Sequence, residues 1–197
     1  AAAHNTALAI VGGGTKTFYG LPSAGQQLDV GGHCGILSYE PTELVITARA
    51  GTPLADIETA LTEKNQMLGF EPPHFADRIV ARGAGQGGPD DAFAENATLG
   101  GAIACGFSGP RRPWAGSARD FVLGTKILNG KGEILRFGGQ VMKNVAGFDV
   151  SRLMAGALGT LGVLLEISLK ILPRPEQELT LAFELPVDQA IATMNQW

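Results

Sequence analysis

The chain has 197 residues, of which 45% are hydrophobic and 17% charged, and its formal net charge is −4. This balance predicts a compact globular chain and argues against nucleic-acid binding, which calls for a basic surface, while no apolar run approaches the length of a membrane span. Glycine supplies 28 residues, about twice its usual share, which indicates many turns and close backbone approaches.

The cysteines and histidines do not indicate a metal centre. Two cysteines, Cys34 and Cys105, favour reduced thiols in a cytosolic protein over a disulfide. Two thiols are also too few for the usual ligand set of an iron–sulfur cluster. The histidines His4, His33 and His74 lack metal-ligand spacing, so we predict no metal site.

A strand that runs into glycines is the first functional signal. The apolar run Ala7–Val11 predicts a buried strand, and Gly12–Gly14 follow it directly. Glycine allows positive φ and close approach of the main chain to a ligand, and successive amides in such a loop suit a phosphate. Thr15 and Thr17 add hydroxyl groups. We therefore predict a diphosphate-bearing cofactor on this loop, with an ordinary glycine-rich turn as the alternative.

Neither of two common phosphate loops fits this sequence. A Walker A loop ends in G-K-[ST]; Lys16 and Thr17 supply its last two residues, but Thr15 stands in place of the glycine. A Rossmann loop opens a helix, whereas Gly20 and Pro22 argue against a helix here. The loop belongs to neither class.

The remaining elements follow from local patterns along the chain. Thr52 is predicted to cap a helix with Pro53 at its first position, and Asn129-Gly130 predicts a hairpin turn. Further short helices are expected around 151–155 and from residue 188, and Trp114 and Phe148 are expected in packed positions. Apolar and β-branched runs predict strands at 27–30, 36–39, 44–48, 121–128, 133–137, 163–172 and 180–185.

The segment before Thr98 and the segment after it predict different structures. Residues 75–97 are rich in glycine and polar residues and predict a loop. Thr98 is a good helix N-cap, and the small residues that follow it predict a short buried helix whose first turn lies against a ligand. Close packing of the helix, without any ligand, is the alternative.

Three glycine elements in this order, at 12–16, 98–104 and 159–163, resemble the FAD-binding domain of the vanillyl-alcohol oxidase/p-cresol methylhydroxylase (PCMH) family. The resemblance covers about residues 5 to 175. Two further stretches, 108–121 and 141–149, look like those of the FAD-binding subunits of bacterial glycolate oxidases, which are glycolate dehydrogenases.

The resemblance implies an α+β fold with a two-subdomain PCMH-type FAD-binding domain over residues 1–175. Residues 176–197 would then be the start of a truncated C-terminal substrate-cap domain. Some family members bind FAD covalently through a histidine at the position of Thr15, so the resemblance implies non-covalent FAD here. Its implied cofactor-binding residues are Gly12, Gly13, Gly14, Thr15, Lys16, Pro73, Thr98, Gly100, Gly101, Ala104, Gly162 and Val163.

The implied activity is oxidation of a small 2-hydroxy acid, with hydride transfer from its C2 carbon to flavin N5. The implied partners are a second flavin subunit and an iron–sulfur subunit in a cytoplasmic complex, with any membrane association provided by those partners. A related D-lactate dehydrogenase and a non-catalytic assembly subunit are the alternatives. No catalytic base is assigned. His74 is a candidate because of its position near the expected flavin edge; the alternative is that His74 is a solvent-facing histidine in a turn. For Arg111 and Arg112 two interpretations stay open: they attract a carboxylate or a partner subunit, or they are solvated arginines in a polar loop.

Overall fold

The computed structural model describes residues 6–21, 24–75, 97–139 and 147–196. The predicted loop over 75–97 therefore falls almost entirely outside the described residues, as does much of the 141–149 stretch. In chain order the described elements are β1 Leu8–Val11, β2 Gln26–Asp29, β3 Ile36–Glu40, β4 Val45–Arg49, α1 Leu54–Thr62, β5 Gln66–Met67, α2 Leu99–Cys105, α3 Arg112–Ala115, α4 Ala118–Phe121, β6 Val122–Leu128, β7 Ile134–Gly138, α5 Val150–Leu153, β8 Val163–Lys170, β9 Leu172–Pro173 and α6 Val187–Met194.

A five-stranded antiparallel sheet carries most of the fold, in the order β3-β4-β8-β6-β7. The central position of β8 explains its long apolar run, because it pairs with β4 on one side and with β6 on the other. The predicted hairpin joins β6 to β7: Asn129 Oδ1 accepts hydrogen bonds from the main-chain N–H of Lys131 (2.9 Å) and of Glu133 (3.0 Å).

The hydrophobic core lies between this sheet and helices α1 and α2. The apolar stripe of α1, Leu54, Ile57 and Leu61, is fully buried, as helical spacing predicts. Leu99 and Ile103 of α2 join the same cluster, and α2 contacts β4 and β8. The core therefore fixes α2 against the centre of the sheet.

A second, smaller sheet consists of the parallel pair β1 and β2. It meets the larger sheet at Gly51, whose N–H donates to the carbonyl of His33 (2.9 Å). A Cβ on Gly51 would lie 2.3 Å from the carbonyl oxygen of Val30, so only glycine fits at this junction. The α+β class is confirmed.

Five local predictions were wrong. The strand β1 forms but is not buried, since Leu8 is 39% exposed and the other three residues are half-buried at the margin of the small sheet. Thr52 does not cap α1, since its hydroxyl donates to the carbonyl of Arg49 (2.7 Å) and lies near Gly35, and Pro53 takes the N-cap position. Residues 180–185 form no strand: the alternating pattern is present, but the segment is irregular and exposed. Trp114 and Phe148 are not packed, being 83% and 96% exposed.

The approach of α2 to β4 gives a stability prediction. A Cβ on Gly100 would lie 2.8 Å from Ala50 Cβ and 2.9 Å from its carbonyl oxygen. Gly100→Ala should therefore lower the free energy of unfolding by about 1–3 kcal/mol, although alanine is the better helix former. Chemical denaturation measures this change.

Gly130→Ala in the β6–β7 hairpin is the matched control, since nothing lies within 4 Å of a Cβ at Gly130 and its φ is not positive. It should leave stability unchanged or raise it by less than about 1 kcal/mol. Equal effects of the two substitutions would refute the packing argument.

Candidate cofactor site

The glycine loop begins where β1 ends. The Val30 N–H donates to the carbonyl of Val11 (2.8 Å), which holds the end of β1 beside β2. Gly14 then adopts a φ of +71°, and nothing lies within 4 Å of a Cβ placed on it. One side of the loop is thus open, whereas Thr15 and Lys16, which follow, turn inward and are only 5% and 9% exposed.

Thr98 joins this loop to helix α2. As predicted, it is the N-cap of the helix: its Oγ1 accepts a hydrogen bond from the Gly101 N–H at 3.2 Å. The same oxygen would lie 2.7 Å from a Cβ on Gly12. The loop and the helix can approach this closely only because residue 12 is glycine.

Main-chain hydrogen bonds fix the start of α2 from the other side. The Leu99 N–H donates to the Thr52 carbonyl (2.9 Å), and the Gly100 N–H donates to the Ala50 carbonyl (2.7 Å). The Leu54 N–H donates to the Ala97 carbonyl (2.7 Å). Thr98 is therefore held on a rigid support.

The third glycine element lies beside the first two. A Cβ on Gly159 would lie 2.9 Å from Ile10 Cδ1, at the end of β1. The Leu158 N–H donates to the Ala104 carbonyl in α2 (2.9 Å). The chain thus brings three stretches that are far apart in sequence to one place.

Other residues predicted at the site lie at its margins or behind it. Gly100 faces Ala50 in the core, and Gly162, with a φ of +145°, would place a Cβ 2.9 Å from the Leu128 carbonyl oxygen. Val163 is buried as the first residue of β8. Pro73 is half-buried in the turn that precedes Phe75.

An aromatic cluster, which the sequence analysis did not identify, flanks the glycine loop. It consists of Phe18, Tyr19, Phe75 and Phe107. Phe75 is central, with its ring centroid 5.1 Å from that of Phe18 and 5.2 Å from that of Phe107, and Tyr19 lies 4.6 Å from Phe107. Phe18-Tyr19 directly after the loop was the available signal, but its partners come from distant segments.

Lys16 lies between this cluster and α2. Its Nζ donates to Thr15 Oγ1 at 3.1 Å and is 5.9 Å from the ring centroid of Phe75. Burial lowers the pKa of the Lys16 ammonium, and the charge of the Cys105 thiolate acts in the opposite sense. Burial likewise raises the pKa of Cys105, with Lys16 opposing the shift.

Two of the other polar candidates, His74 and Arg111, have protein partners. His74 Nε2 lies 3.1 Å from Glu58 Oε1, on α1. Arg111 Nε donates to Glu71 Oε1 (2.8 Å), its N–H donates to Glu71 Oε2 (2.9 Å), and its guanidinium also bonds to Glu178. The charge of Arg111 is therefore balanced by two carboxylates, whereas Arg112 is exposed.

The described ranges contain no helix with the length and apolar character needed to cross a bilayer.

The two thiols should differ in reactivity. Cys34 is exposed and Cys105 is half-buried. Because the thiolate is the reactive form and burial raises the pKa of Cys105, this thiol should alkylate slowly at neutral pH and faster as the pH rises. Iodoacetamide labelling of a Cys34→Ser variant, followed by mass spectrometry, measures Cys105 alone. Rapid labelling that does not depend on pH would contradict the buried position of Cys105.

The loop geometry fits a diphosphate group. Gly12 has no Cβ and so closes on Thr98, while the space beside Gly14 is open to a ligand. Successive main-chain amides in a loop of this kind suit a phosphate group.

The curated relatives of this chain include a glycolate oxidase subunit and a D-lactate dehydrogenase. Glycolate oxidase subunit GlcE of Escherichia coli (strain K12) is 54% identical over 192 residues, which are 98% of this chain and 50% of that protein. A D-lactate dehydrogenase of Anaerostipes hadrus is 31% identical over 150 residues, which are 70% of this chain and 32% of that protein. The chain thus spans half or less of the length of these relatives.

A solved structure of alkyldihydroxyacetonephosphate synthase has the same fold, with a TM-score of 0.63 at 19% identity, over 89% of this chain and 29% of that one. The family described as FAD binding domain matches residues 1–84 and 76–138, including the glycine loop and Thr98. FAD is therefore the cofactor of this domain, and the chain belongs to the FAD-binding domain family.

Proposed function

We propose that this chain is the FAD-holding part of a glycolate oxidase subunit, an oxidoreductase that acts on a small 2-hydroxy acid. The observation that carries the proposal is the glycine loop, which packs against Thr98 at Gly12 and leaves open space beside Gly14. The chain that contains this loop is 54% identical to a glycolate oxidase subunit over 98% of its length. FAD, when bound, accepts a hydride at N5 of its ring, and the protein orients the reactants.

The diphosphate would lie along the main chain of Gly12–Thr15. Thr98, Gly101 and Ala104 would border it from α2, because Thr98 Oγ1 is adjacent to Gly12 and caps Gly101. The FAD would be non-covalent, since threonine occupies position 15.

The more distant residues would serve the two ends of the cofactor. Pro73 would lie near the flavin ring, in the turn whose Phe75 reaches the loop. Gly162 and Val163 would lie near the adenine or ribityl region, and Gly100 would support α2 from behind, since it packs on Ala50.

Residues 1–175 would form the FAD-binding domain, and residues 176–197 would begin the substrate-cap domain. The support is the exposed apolar surface of the C-terminal segment: Leu179, Leu181 and Phe183 alternate along it, and α6 contains no buried residue. Surface of this kind is normally covered by a further layer of structure.

Electrons would leave the flavin through an iron–sulfur subunit in a cytoplasmic complex that also contains a second flavin subunit. Two cysteines in this chain are too few for the usual cluster ligand set, which favours a separate partner. The exposed C-terminal segment also offers surface for contacts within a complex.

D-lactate oxidation is the second candidate, favoured by the 31% identity to a D-lactate dehydrogenase. The native complex, isolated through a tag on this chain, should lose its flavin colour when glycolate is added without oxygen. Faster bleaching by D-lactate would favour the second candidate. A complex without flavin would instead indicate an assembly subunit.

The role of the loop gives a direct prediction. Gly14→Ala should weaken FAD binding by at least about tenfold, because the added methyl group enters the open space beside the loop. Fluorescence titration of the FAD-free chain measures the affinity.

Gly132→Ala in the β6–β7 hairpin is the matched control. Gly132 also has a positive φ, +83°, and nothing within 4 Å of its Cβ position. Both variants should therefore carry similar backbone strain, about 1–2 kcal/mol. Equal FAD affinities in the two variants would refute the assignment of the loop.

A further inference from the structure

Lys16 is a buried cation whose charge the described residues do not balance. Its side chain is 9% exposed. Within residues 6–21, 24–75, 97–139 and 147–196, no carboxylate forms an ion pair with it. Its described side-chain contacts are the hydroxyl of Thr15 and the ring face of Phe75. The nearby Cys105 thiol, whose pKa burial raises, is protonated at neutral pH and supplies no counter-charge. A charge removed from water without a counter-charge is costly to folding.

The position of Lys16 relates this cost to the glycine loop. Lys16 is two residues beyond Gly14, whose open side is where the diphosphate would lie. Thr15, which accepts the Lys16 hydrogen bond, is the last residue of the predicted diphosphate-binding run. The arrival of a dianionic group here would supply the missing counter-charge.

The aromatic cluster explains why the ammonium stays in place. Phe75 lies over Lys16, and Phe18 and Phe107 hold the Phe75 ring by edge contacts. The Phe75 ring attracts the charge of Lys16 weakly through its face. A cation in such low-dielectric surroundings interacts more strongly with an anion than one in water does.

We propose that the Lys16 ammonium is a direct ligand of the cofactor diphosphate, and that the FAD-free protein tolerates its uncompensated charge at a cost in stability. This inference rests on the proposed function. The family resemblance implies only that Lys16 belongs to the cofactor-binding residues; the inference assigns the contact to its ammonium group and the positioning of that group to the aromatic cluster.

The test is Lys16→Met, which removes the charge but keeps a flexible stem of similar size. In the FAD-free chain the substitution should raise the thermal midpoint, because a desolvated charge is replaced by an apolar group. It should also weaken FAD binding by about tenfold to a hundredfold, as expected for the loss of a hydrogen bond between charged groups. Calorimetry and fluorescence titration measure the two effects.

Lys131→Met is the control, because Lys131 is exposed in the hairpin. It should change neither quantity. A purely structural role for Lys16 would lower the midpoint and the affinity together, and an unchanged FAD affinity would also overturn the inference. The wild-type chain distinguishes this failure from a failure of the proposed function. If the wild type binds FAD and Lys16→Met binds it equally well, only the role of Lys16 is refuted. If the wild type does not bind FAD, both are refuted.

Discussion

The contact between Gly12 and Thr98 is the constraint on which the site depends. A Cβ on Gly12 would lie 2.7 Å from Thr98 Oγ1, closer than such atoms approach. The same oxygen caps α2 through the Gly101 N–H. The glycine loop follows β1 of the small sheet and α2 packs on the large one, so this contact holds the loop beside α2, while Gly51 joins the two sheets at a second point.

The two sides of the glycine loop differ in their exposure. The outer side, at Gly14, is open, with nothing within 4 Å of a Cβ placed there. The inner side is closed by Thr15 and Lys16, and the aromatic cluster covers Lys16. In the proposed arrangement, burial of the Lys16 cation lowers the stability of the FAD-free chain, and its ammonium group contacts the diphosphate beside Gly14. Cofactor binding and folding would then be linked through the same residue.

Local signals predicted much of this arrangement, and long-range contacts account for what they missed. Thr98 was predicted as a cap because the signal lies within four residues of the helix start. The prediction of a strand at 180–185 was wrong because alternation of apolar and polar residues specifies the two faces of a strand but not a pairing partner. Thr52 was misassigned because its hydroxyl bonds to Arg49 and lies near Gly35. The aromatic cluster joins three separate segments, so no pattern within one segment indicates it.

The most direct test of the account is the visible absorption spectrum of the purified chain after incubation with FAD and removal of the excess, recorded before and after acid precipitation. We expect flavin absorbance that moves to the supernatant on precipitation, as a non-covalent cofactor held by main-chain amides would. Absorbance that remains in the pellet would contradict the assignment of Thr15 to a non-covalent site. Absence of flavin from the protein would contradict the cofactor site itself.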